Sequence, residues 1–266
     1  MMCIFSCNRH AEPLRVMSYN IRLGVAKDSS NRWDIRKPAT PAMLDAIRPA
    51  VFGVQEAYDF QVDYILKNCP RFKAVGVGRE DGVHEGEHMS VFYDTTRINL
   101  LDWGNYWLSE HPESPGLGWD AACPRTATWT LLKDLASGKE FYFVNTHLDH
   151  VGKVAQREGL ALIYNKIQEM NPSGRPMILT GDFNVLPDDE SLSGINSLLL
   201  SARFSAPVAD TIGSYNGYSK DNSVYKPIDY IYYNGFTCER FCIDTTTYLS
   251  IPFISDHYPV YADLRW

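Results

Sequence analysis

The sequence predicts a layered α/β protein with β-sheets inside and helices outside. Short apolar runs rich in Val, Ile, Phe, Tyr and Thr are interspersed along the chain with amphipathic segments of helical spacing. Several of these runs are apolar at consecutive positions, as expected for strands that are buried on both faces. A sheet of such strands needs covering layers, and the amphipathic helices supply them.

The predicted strands end at turn residues and are rich in β-branched and aromatic side chains. In chain order they cover residues 14–19, 51–55, 73–77, 90–93, 126–132, 141–146, 176–180, 228–233 and 258–263. Helical spacing predicts helices over residues 34–48, 59–68 and 151–170, and the turn residues at 171–174 end the last of them. Long connections at 78–89, 105–124 and 210–226 are expected to carry function or to be disordered.

Length and composition restrict the class of protein. The 266 residues fit one large domain or two small ones, and without a low-complexity linker we expect a tail over 1–13 and a single domain over 14–266. Hydrophobic residues make up 45% of the chain, which is ordinary for a globular protein with a sizeable core. The net charge of −7 argues against a large basic surface for long nucleic acids. No apolar run reaches the roughly 18–20 residues of a membrane span, so we expect no stable membrane insertion. We also expect a monomer, and the sequence implies no protein partner.

The cysteines and the N-terminus leave alternatives open. Six cysteines occur without a CxxC pair, which favours free thiols, although Cys3/Cys7 and Cys238/Cys242 have a spacing that zinc sites also use. Residues 4–7 resemble the end of a bacterial lipoprotein signal, with Cys7 as its lipid site, and the alternative is a disordered tail. The chain as written favours a cytoplasmic location, and a missing signal segment would place it in the cell envelope or periplasm.

Polar residues recur where apolar runs end. They are Asn20, Glu56, His147, Asp182, Asn184, Asp229, Asp256 and His257. Each has an ordinary explanation alone, as a turn residue, a helix cap or a buried hydrogen-bonded group. Together they supply hard oxygen ligands, a charged base pair and neutral donors, which are the groups that metal-assisted phosphoester hydrolysis requires.

Residue type suggests which groups would hold a metal. Mg²⁺ prefers octahedral oxygen ligation and often uses one or two carboxylates together with waters and phosphate oxygens. Glu56 is the best direct ligand, with Asn20 and Asp256 near it. We therefore expect Mg²⁺ or Mn²⁺ as the cofactor.

Residue type also suggests which groups would act at phosphorus. His257 is the candidate base and Asp229 the carboxylate that orients it. Asp182 is expected to position the attacking water or stabilise the leaving oxygen. Asn184 and His147 are expected to donate to non-bridging oxygens, and Arg125 is the candidate phosphate clamp.

The ordered motifs resemble those of the endonuclease/exonuclease/phosphatase superfamily, which includes deoxyribonuclease I, abasic-site endonucleases, inositol polyphosphate 5-phosphatases, neutral sphingomyelinases and deadenylases. The motifs that carry the resemblance are Asn20, Gln55-Glu56, Asn145 with His147, Gly181-Asp182 with Asn184, Asp229-Tyr230 and Ser255-Asp256-His257. The resemblance spans residues 14–265. It implies a four-layer α/β/β/α sandwich of the deoxyribonuclease I type, with two mixed sheets face to face and helices outside. It also implies a Mg²⁺- or Mn²⁺-dependent hydrolase that attacks phosphorus with water.

Further segments, 31–37, 118–125 and 145–152, resemble a bacterial subgroup known mostly by its superfamily. This similarity suggests a substrate wall, for which packing specific to the subgroup is the alternative. The residues of that wall are Arg36, His88, Trp119, Arg125, Asp149 and His150.

The substrate does not follow from any one branch of the superfamily. The sequence has no basic DNA-wedging segment, no extended hydrophobic loop and no Lys/Arg cluster suited to a multiply phosphorylated inositol. Phosphodiesterase, nuclease and phosphatase activities stay open, on a small molecule or a nucleic-acid end. The alternatives are a non-catalytic binding module, a 3′-end exonuclease of the deadenylase type and, less favoured, a zinc enzyme that uses the cysteines.

Overall fold

The computed structural model describes residues 12–266, and this part of the chain contains two mixed β-sheets. The seven-stranded sheet has the spatial order β10 (Val208–Ala209), β12 (Thr237–Ile243), β13 (Val260–Arg265), β1 (Leu14–Asn20), β2 (Val51–Gln55), β4 (Val91–Asp94) and β3 (Phe72–Val75). The six-stranded sheet has the order β5 (Ile98–Trp107), β6 (Thr126–Asp134), β7 (Glu140–His147), β8 (Met177–Asp182), β11 (Asp229–Asn234) and β9 (Leu200–Ser201). The helices are α1 (Trp33–Arg36), α2 (Ala39–Ile47), α3 (Asp59–Asn68), α4 (Lys153–Met170), α5 (Ser193–Leu198) and α6 (Ala202–Ser205). The predictions for Cys3, Cys7 and residues 4–7 lie outside the described residues.

Alternate side chains of the central strands enter different apolar layers, as the two-residue period of a strand requires. In β1, Val16 joins the layer between the sheets, whereas Met17 packs beneath α2 and α3. In β8, Ile178 joins the layer between the sheets, whereas Leu179 packs beneath α4 and α5. Three apolar layers therefore separate helices, sheet, sheet and helices, and the predicted α/β/β/α sandwich is confirmed.

The nine predicted strands all form, each with bounds within two residues of those expected. The predicted helix over 34–48 is wrong as a single element, because α1 ends at Arg36 and α2 begins at Ala39. Pro38 lies between them, and a proline has no N–H for the helical ladder. The predicted helix over 151–170 begins two residues late, at Lys153.

Two long strands, β5 and β12, were not predicted. Each contains a register shift, between Leu100 and Asp102 in β5 and between Cys238 and Arg240 in β12. An inserted residue breaks the two-residue alternation on which strand prediction depends. β5 is also an edge strand with many exposed positions, so its hydrophobic pattern is weak.

Towards one end of the sandwich the layer between the sheets becomes polar. Asn145 Nδ2 donates to the Val54 carbonyl at 2.7 Å, and Gln55 Nε2 donates to Asn145 Oδ1 at 2.6 Å. Thr180 Oγ1 donates to the same Asn145 oxygen at 3.1 Å. This buried network joins β2, β7 and β8 directly beneath the strand ends that carry the candidate site residues. Within residues 12–266, no helix is both long and apolar enough to span a membrane.

Candidate active site

Three adjacent strands of the six-stranded sheet bring their terminal polar residues side by side. His147, the last residue of β7, is in register with Asp182 at the end of β8. Asp229, the first residue of the antiparallel strand β11, is in register with the same Asp182. In the facing sheet Asn20 is in register with Gln55, and Glu56 follows directly. The predicted residues therefore converge at one end of the sandwich.

Glu56 is held by neighbouring donors before any ligand binds. Its backbone lies in the left-handed region, with φ of 62°. Asn20 Nδ2 donates to Glu56 Oε1 at 2.9 Å, and the Leu23 N–H donates to Glu56 Oε2 at 3.0 Å. Asn20 Nδ2 also donates to Asp182 Oδ2 at 2.9 Å, while its oxygen accepts the Arg22 N–H at 3.0 Å. Asn20 thus presents donors to the carboxylates rather than an oxygen.

The carboxylates of Glu56 and Asp256 form the acidic side of the site. Arg22 Nη1 lies 3.8 Å from Glu56 Oε2 and 3.6 Å from Asp256 Oδ2. Burial raises the pKa of Asp256, and the nearby Glu56 charge raises it further. Glu56, Asp182 and His257 also present ligand atoms within 4.8 Å of one another. Buried carboxylates that repel one another fit a hard divalent cation such as Mg²⁺ or Mn²⁺.

His257 and Asp229 form a buried pair. Asp229 Oδ2 lies 2.8 Å from His257 Nδ1, and His257 Nε2 faces Asp182 Oδ2 at 3.6 Å. Burial alone would lower the pKa of His257, but the charges of Asp229 and Asp182 outweigh it and raise the pKa to about 10. Burial also raises the pKa of Asp182, and the Asp229 charge adds to that effect. The geometry is that of a base held by a carboxylate on its far nitrogen.

Asn184 faces the site, but a turn rather than strand alternation places it there. β8 ends at Asp182, and Asn184 has left-handed backbone with φ of 52°. The Asn184 N–H donates to Asp182 Oδ1 at 3.0 Å. The Asn184 amide nitrogen lies 3.1 Å from His147 Nε2 and 3.0 Å from the Leu148 carbonyl, which uses both of its hydrogens.

His147 is a buried, neutral imidazole. Burial lowers its pKa well below the usual value, and the charges of Arg125 and Arg79 lower it further. Because Nε2 faces the Asn184 amide donor, the ring proton belongs on Nδ1. Nδ1 has no hydrogen-bond partner in the described part of the chain, and Glu87 Oε2 lies 4.0 Å from it.

Arg125 and His150 line the cavity together, with Asp149 behind them. Arg125 Nε lies 3.3 Å from Asp149 Oδ2, and Arg125 Nη2 lies 2.9 Å from His150 Nδ1. Burial would raise the pKa of Asp149, but the N–H groups of Gly152 and Val151 and the Arg125 charge lower it overall. Arg125 is therefore a fixed cation on the cavity wall.

Four predicted wall residues do not line the cavity: Asp149, which lies behind Arg125, and Arg36, His88 and Trp119. Arg36 is buried and donates to four backbone carbonyls, those of Ile21, Arg22, Asn31 and Ile254. His88 is buried against the His84 carbonyl, and Trp119 packs on the apolar layer beneath α4. Their placement in the substrate wall was wrong, because each is held by packing or backbone contacts away from the cavity.

Within the described part of the chain, the cysteines do not favour a zinc site. Within residues 12–266, Cys69, Cys123, Cys238 and Cys242 are free thiols. Cys123 lies near Asp149 and His150, but the Arg125 guanidinium contacts both of those side chains. A bound cation there would face a guanidinium, which disfavours it electrostatically.

The converging side chains line a cavity of about 410 Å³. Its lining residues are Arg22, Leu23, Glu56, Arg79, Glu87, Cys123, Arg125, His147, His150, Asp182, Asn184, Tyr215, Lys226, Ile228, Asp256 and His257. Arg22, Arg79, Glu87 and Lys226 were missed by sequence reasoning. Three of these lie in the long connections 78–89 and 210–226, whose length was the only signal.

Comparisons with known proteins agree with the fold. The model of the Endonuclease/Exonuclease/phosphatase family matches residues 17–257. A solved structure of a mannosyl-6-phosphatase from Bacteroides thetaiotaomicron is 33% identical, with a TM-score of 0.91, and the alignment covers 95% of this chain and all of that one. A Bacteroides vulgatus family member is 32% identical, with a TM-score of 0.89, covering 95% of this chain and 98% of that one.

More distant proteins share the fold alone. The human Nocturnin catalytic domain is 20% identical, with a TM-score of 0.70, and the alignment covers 95% of this chain and 94% of that one. A search of curated protein sequences found no match. Because the family model spans nearly all of the described residues, the chain belongs to the endonuclease/exonuclease/phosphatase family.

Proposed function

We propose that this protein is a divalent-metal-dependent phosphoester hydrolase that attacks phosphorus with a water activated by His257 and Asp229. The family consists of hydrolases that act on phosphoesters. The observation that carries the proposal is the His257–Asp229 contact at 2.8 Å, which aims His257 Nε2 at Asp182 inside the cavity. A recognition module has no need of a base held in this way.

Glu56 and Asp256 would hold the metal. When bound, Mg²⁺ or Mn²⁺ supplies a Lewis acid for a phosphoryl oxygen and neutralises developing charge. Asn20 would act by orienting Glu56 and Asp182 through its amide hydrogens, since its oxygen is already bonded to the Arg22 N–H.

The remaining residues would orient water and substrate. His257 Nε2 would take the proton of the water once a bound cation offsets the carboxylate charges that raise the pKa of His257. Asp182, whose Oδ2 lies 3.6 Å from that nitrogen, would fix the water opposite the leaving group. Asn184 donates to a phosphoryl oxygen by exchanging its present contact with His147 for one to substrate. The low pKa of His147 favours a role as a phosphate contact over a role as an acid.

A small phosphate ester suits the cavity best. Asn184, His150, Lys226 and Ile228 also line a second cavity of about 690 Å³, which would take the alcohol part of a substrate. The Bacteroides thetaiotaomicron relative is a mannosyl-6-phosphatase, so sugar phosphates are the first class to test.

The test is hydrolysis of a substrate panel in the presence of Mg²⁺, Mn²⁺ or EDTA. The panel holds a hexose 6-phosphate, a simple monoester, a simple diester, single-stranded DNA and RNA, and an inositol phosphate. We expect metal-dependent turnover that His257→Ala abolishes while circular dichroism shows an intact fold. Folded, metal-loaded protein that hydrolyses no phosphoester would reject the proposal and favour the binding module. Preference for nucleic-acid 3′ ends would select the exonuclease.

A further inference from the structure

Lys226 differs from the three arginine residues that line the cavity in having no carboxylate partner in the described part of the chain. Each arginine there faces a carboxylate: Arg22 faces Asp28 at 3.0 Å, Arg79 faces Glu87 at 2.8 Å, and Arg125 faces Asp149 at 3.3 Å. Within residues 12–266, no carboxylate lies within ion-pair distance of Lys226 Nζ. The Lys226 Nζ lies 6.0 Å from the centroid of the Tyr215 ring. Lys226 therefore brings a positive charge that no protein anion compensates.

The backbone fixes Lys226 beside the candidate base. Lys226 and Tyr215 exchange both backbone hydrogen bonds, at 2.9 Å and 3.0 Å. The Tyr215 ring meets the His257 ring edge to face, with centroids 5.1 Å apart. At position 213 a Cβ would lie 2.5 Å from the backbone nitrogen of Lys226, so only a glycine there allows the two backbone segments to approach so closely.

The segment around Tyr215 is also hydrogen-bonded to the backbone of the candidate site residues Asp229 and Asp256. The Asp229 N–H donates to Ser214 Oγ at 3.1 Å, and the Asn216 N–H donates to the Asp256 carbonyl at 2.8 Å. The position of the Lys226 backbone is therefore coupled to that of Asp229 and Asp256. The fixed backbone keeps the base of the exposed Lys226 side chain at the cavity, within reach of a substrate charge.

We propose that Lys226 selects phosphate monoesters over diesters by pairing with the second negative charge of the monoester dianion. A phosphate monoester has a second pKa of about 6 and is nearly dianionic above neutral pH, whereas a diester keeps one charge. Carboxylates already compensate the positive charges of the arginines in the wall. Lys226 is therefore the side chain that would pair with the second negative charge of the monoester. The inference rests on the proposed function and names the class of ester that the site takes.

The test compares two esters with the same leaving group, p-nitrophenyl phosphate and bis(p-nitrophenyl) phosphate, with Mg²⁺ at pH 8. In Lys226→Gln we expect kcat/KM for the monoester to fall about tenfold, the lower range for a lost charged hydrogen bond. The diester value should change less than about twofold, because its single charge stays paired with the metal. Lys226→Arg should keep most of the monoester preference. Lys220→Gln, an exposed lysine of the same loop that does not line the cavity, should leave both values unchanged.

Binding of orthophosphate gives a second readout that does not depend on turnover. At pH 8 this dianion should inhibit, or bind by calorimetry, about tenfold more weakly in Lys226→Gln than in the unmodified protein. Equal losses for monoester and diester, or unchanged orthophosphate binding, would overturn the role of Lys226. If neither ester is hydrolysed, the proposed function fails separately, and orthophosphate binding still decides for or against Lys226.

Discussion

At the residue scale, the site depends on side chains that are fixed before any ligand arrives. Glu56 and Asn184 both have left-handed backbone, a conformation that costs roughly 1–3 kcal/mol for a residue other than glycine. The bonds from Asn20 and Leu23 to Glu56, and from the Asn184 N–H to Asp182, offset that cost. Strain held in place by hydrogen bonds is typical of functional sites.

Removal of the base or of its neighbour should abolish most turnover. We expect His257→Ala and Asp182→Asn each to lower kcat by about 10²–10⁴, the range for a lost acid–base group. Both residues lie at the cavity, away from the three apolar layers, so the fold should persist. Steady-state kinetics with circular dichroism checks both expectations. Near-normal turnover in either variant would refute the role assigned to that residue.

Glu56→Gln should raise the metal concentration needed for half-maximal activity. An amide in place of the carboxylate removes the negative charge that a hard cation prefers. The measurement is activity as a function of Mg²⁺ or Mn²⁺ concentration. Glu113→Gln is the matched control, because Glu113 is exposed and does not line the cavity. A titration that matches that control would contradict direct ligation by Glu56.

The strand-end residues were predictable from sequence, whereas most of the cavity wall was not. Asp182 closes one apolar run and Asp229 opens another, and those positions alone place both residues at an edge of a sheet. Arg79, Glu87 and Lys226 lie in long connections, where no periodicity fixes the direction of a side chain. Arg36 shows the converse error, because a charged residue in a family-like motif proved to hold backbone carbonyls together.

At the scale of elements, the close approach of β2 to β7 sets the polar layer beneath the site. A Cβ at position 53 would overlap the Asn145 amide, which donates to the Val54 carbonyl and accepts from Gln55. Gly53 therefore belongs to the support of the site, although it contacts no candidate ligand. The sequence predicted the strand but not the requirement for glycine at position 53, because that requirement comes from Asn145 in the facing sheet.

Gly53→Ala should destabilise the fold by about 1–3 kcal/mol, the usual cost of overpacking a core. The added methyl would displace Asn145 and break its bond to the Val54 carbonyl. Urea denaturation measures the loss in the free energy of unfolding. Gly116→Ala is the control, since a Cβ at that position meets nothing within 4 Å. A Gly53→Ala variant as stable as the control would show that β2 and β7 can move apart without loss of unfolding free energy.

At the scale of the whole molecule, the order of the four layers followed from the family resemblance, whereas the hydrophobic pattern of the sequence predicted only sheets inside and helices outside. Trp266 connects the two sheets through side-chain contacts. Trp266, which follows β13 of the seven-stranded sheet, donates from Nε1 to Asp134 Oδ2 in β6 of the six-stranded sheet at 3.0 Å. Its ring also meets Phe141 of β7 edge to face, at 5.6 Å between centroids. Asp134 is thus a link between the sheets, far from the cavity.

This link should make stability depend on pH. Burial alone would raise the pKa of Asp134, but bonds from Ser137, Trp266 and the Ala136 N–H, with the Arg97 charge, lower it overall. A pKa lowered by folding stabilises the protein above the unfolded value of about 3.9, and this contribution is lost as the pH falls through the folded value.

Asp134→Asn should therefore cost about 1–2 kcal/mol of unfolding free energy at pH 7, in the range for hydrogen bonds to a charged group. The difference from the unmodified protein should begin to shrink below about pH 4 and should vanish as the pH falls through the lower pKa of the folded carboxyl, where that group also becomes neutral. Urea denaturation at a series of pH values measures it, with Asp188→Asn, at an exposed position, as the control. A cost that stays constant from pH 7 to the acid range would show that shape rather than charge makes Asp134 the link between the sheets.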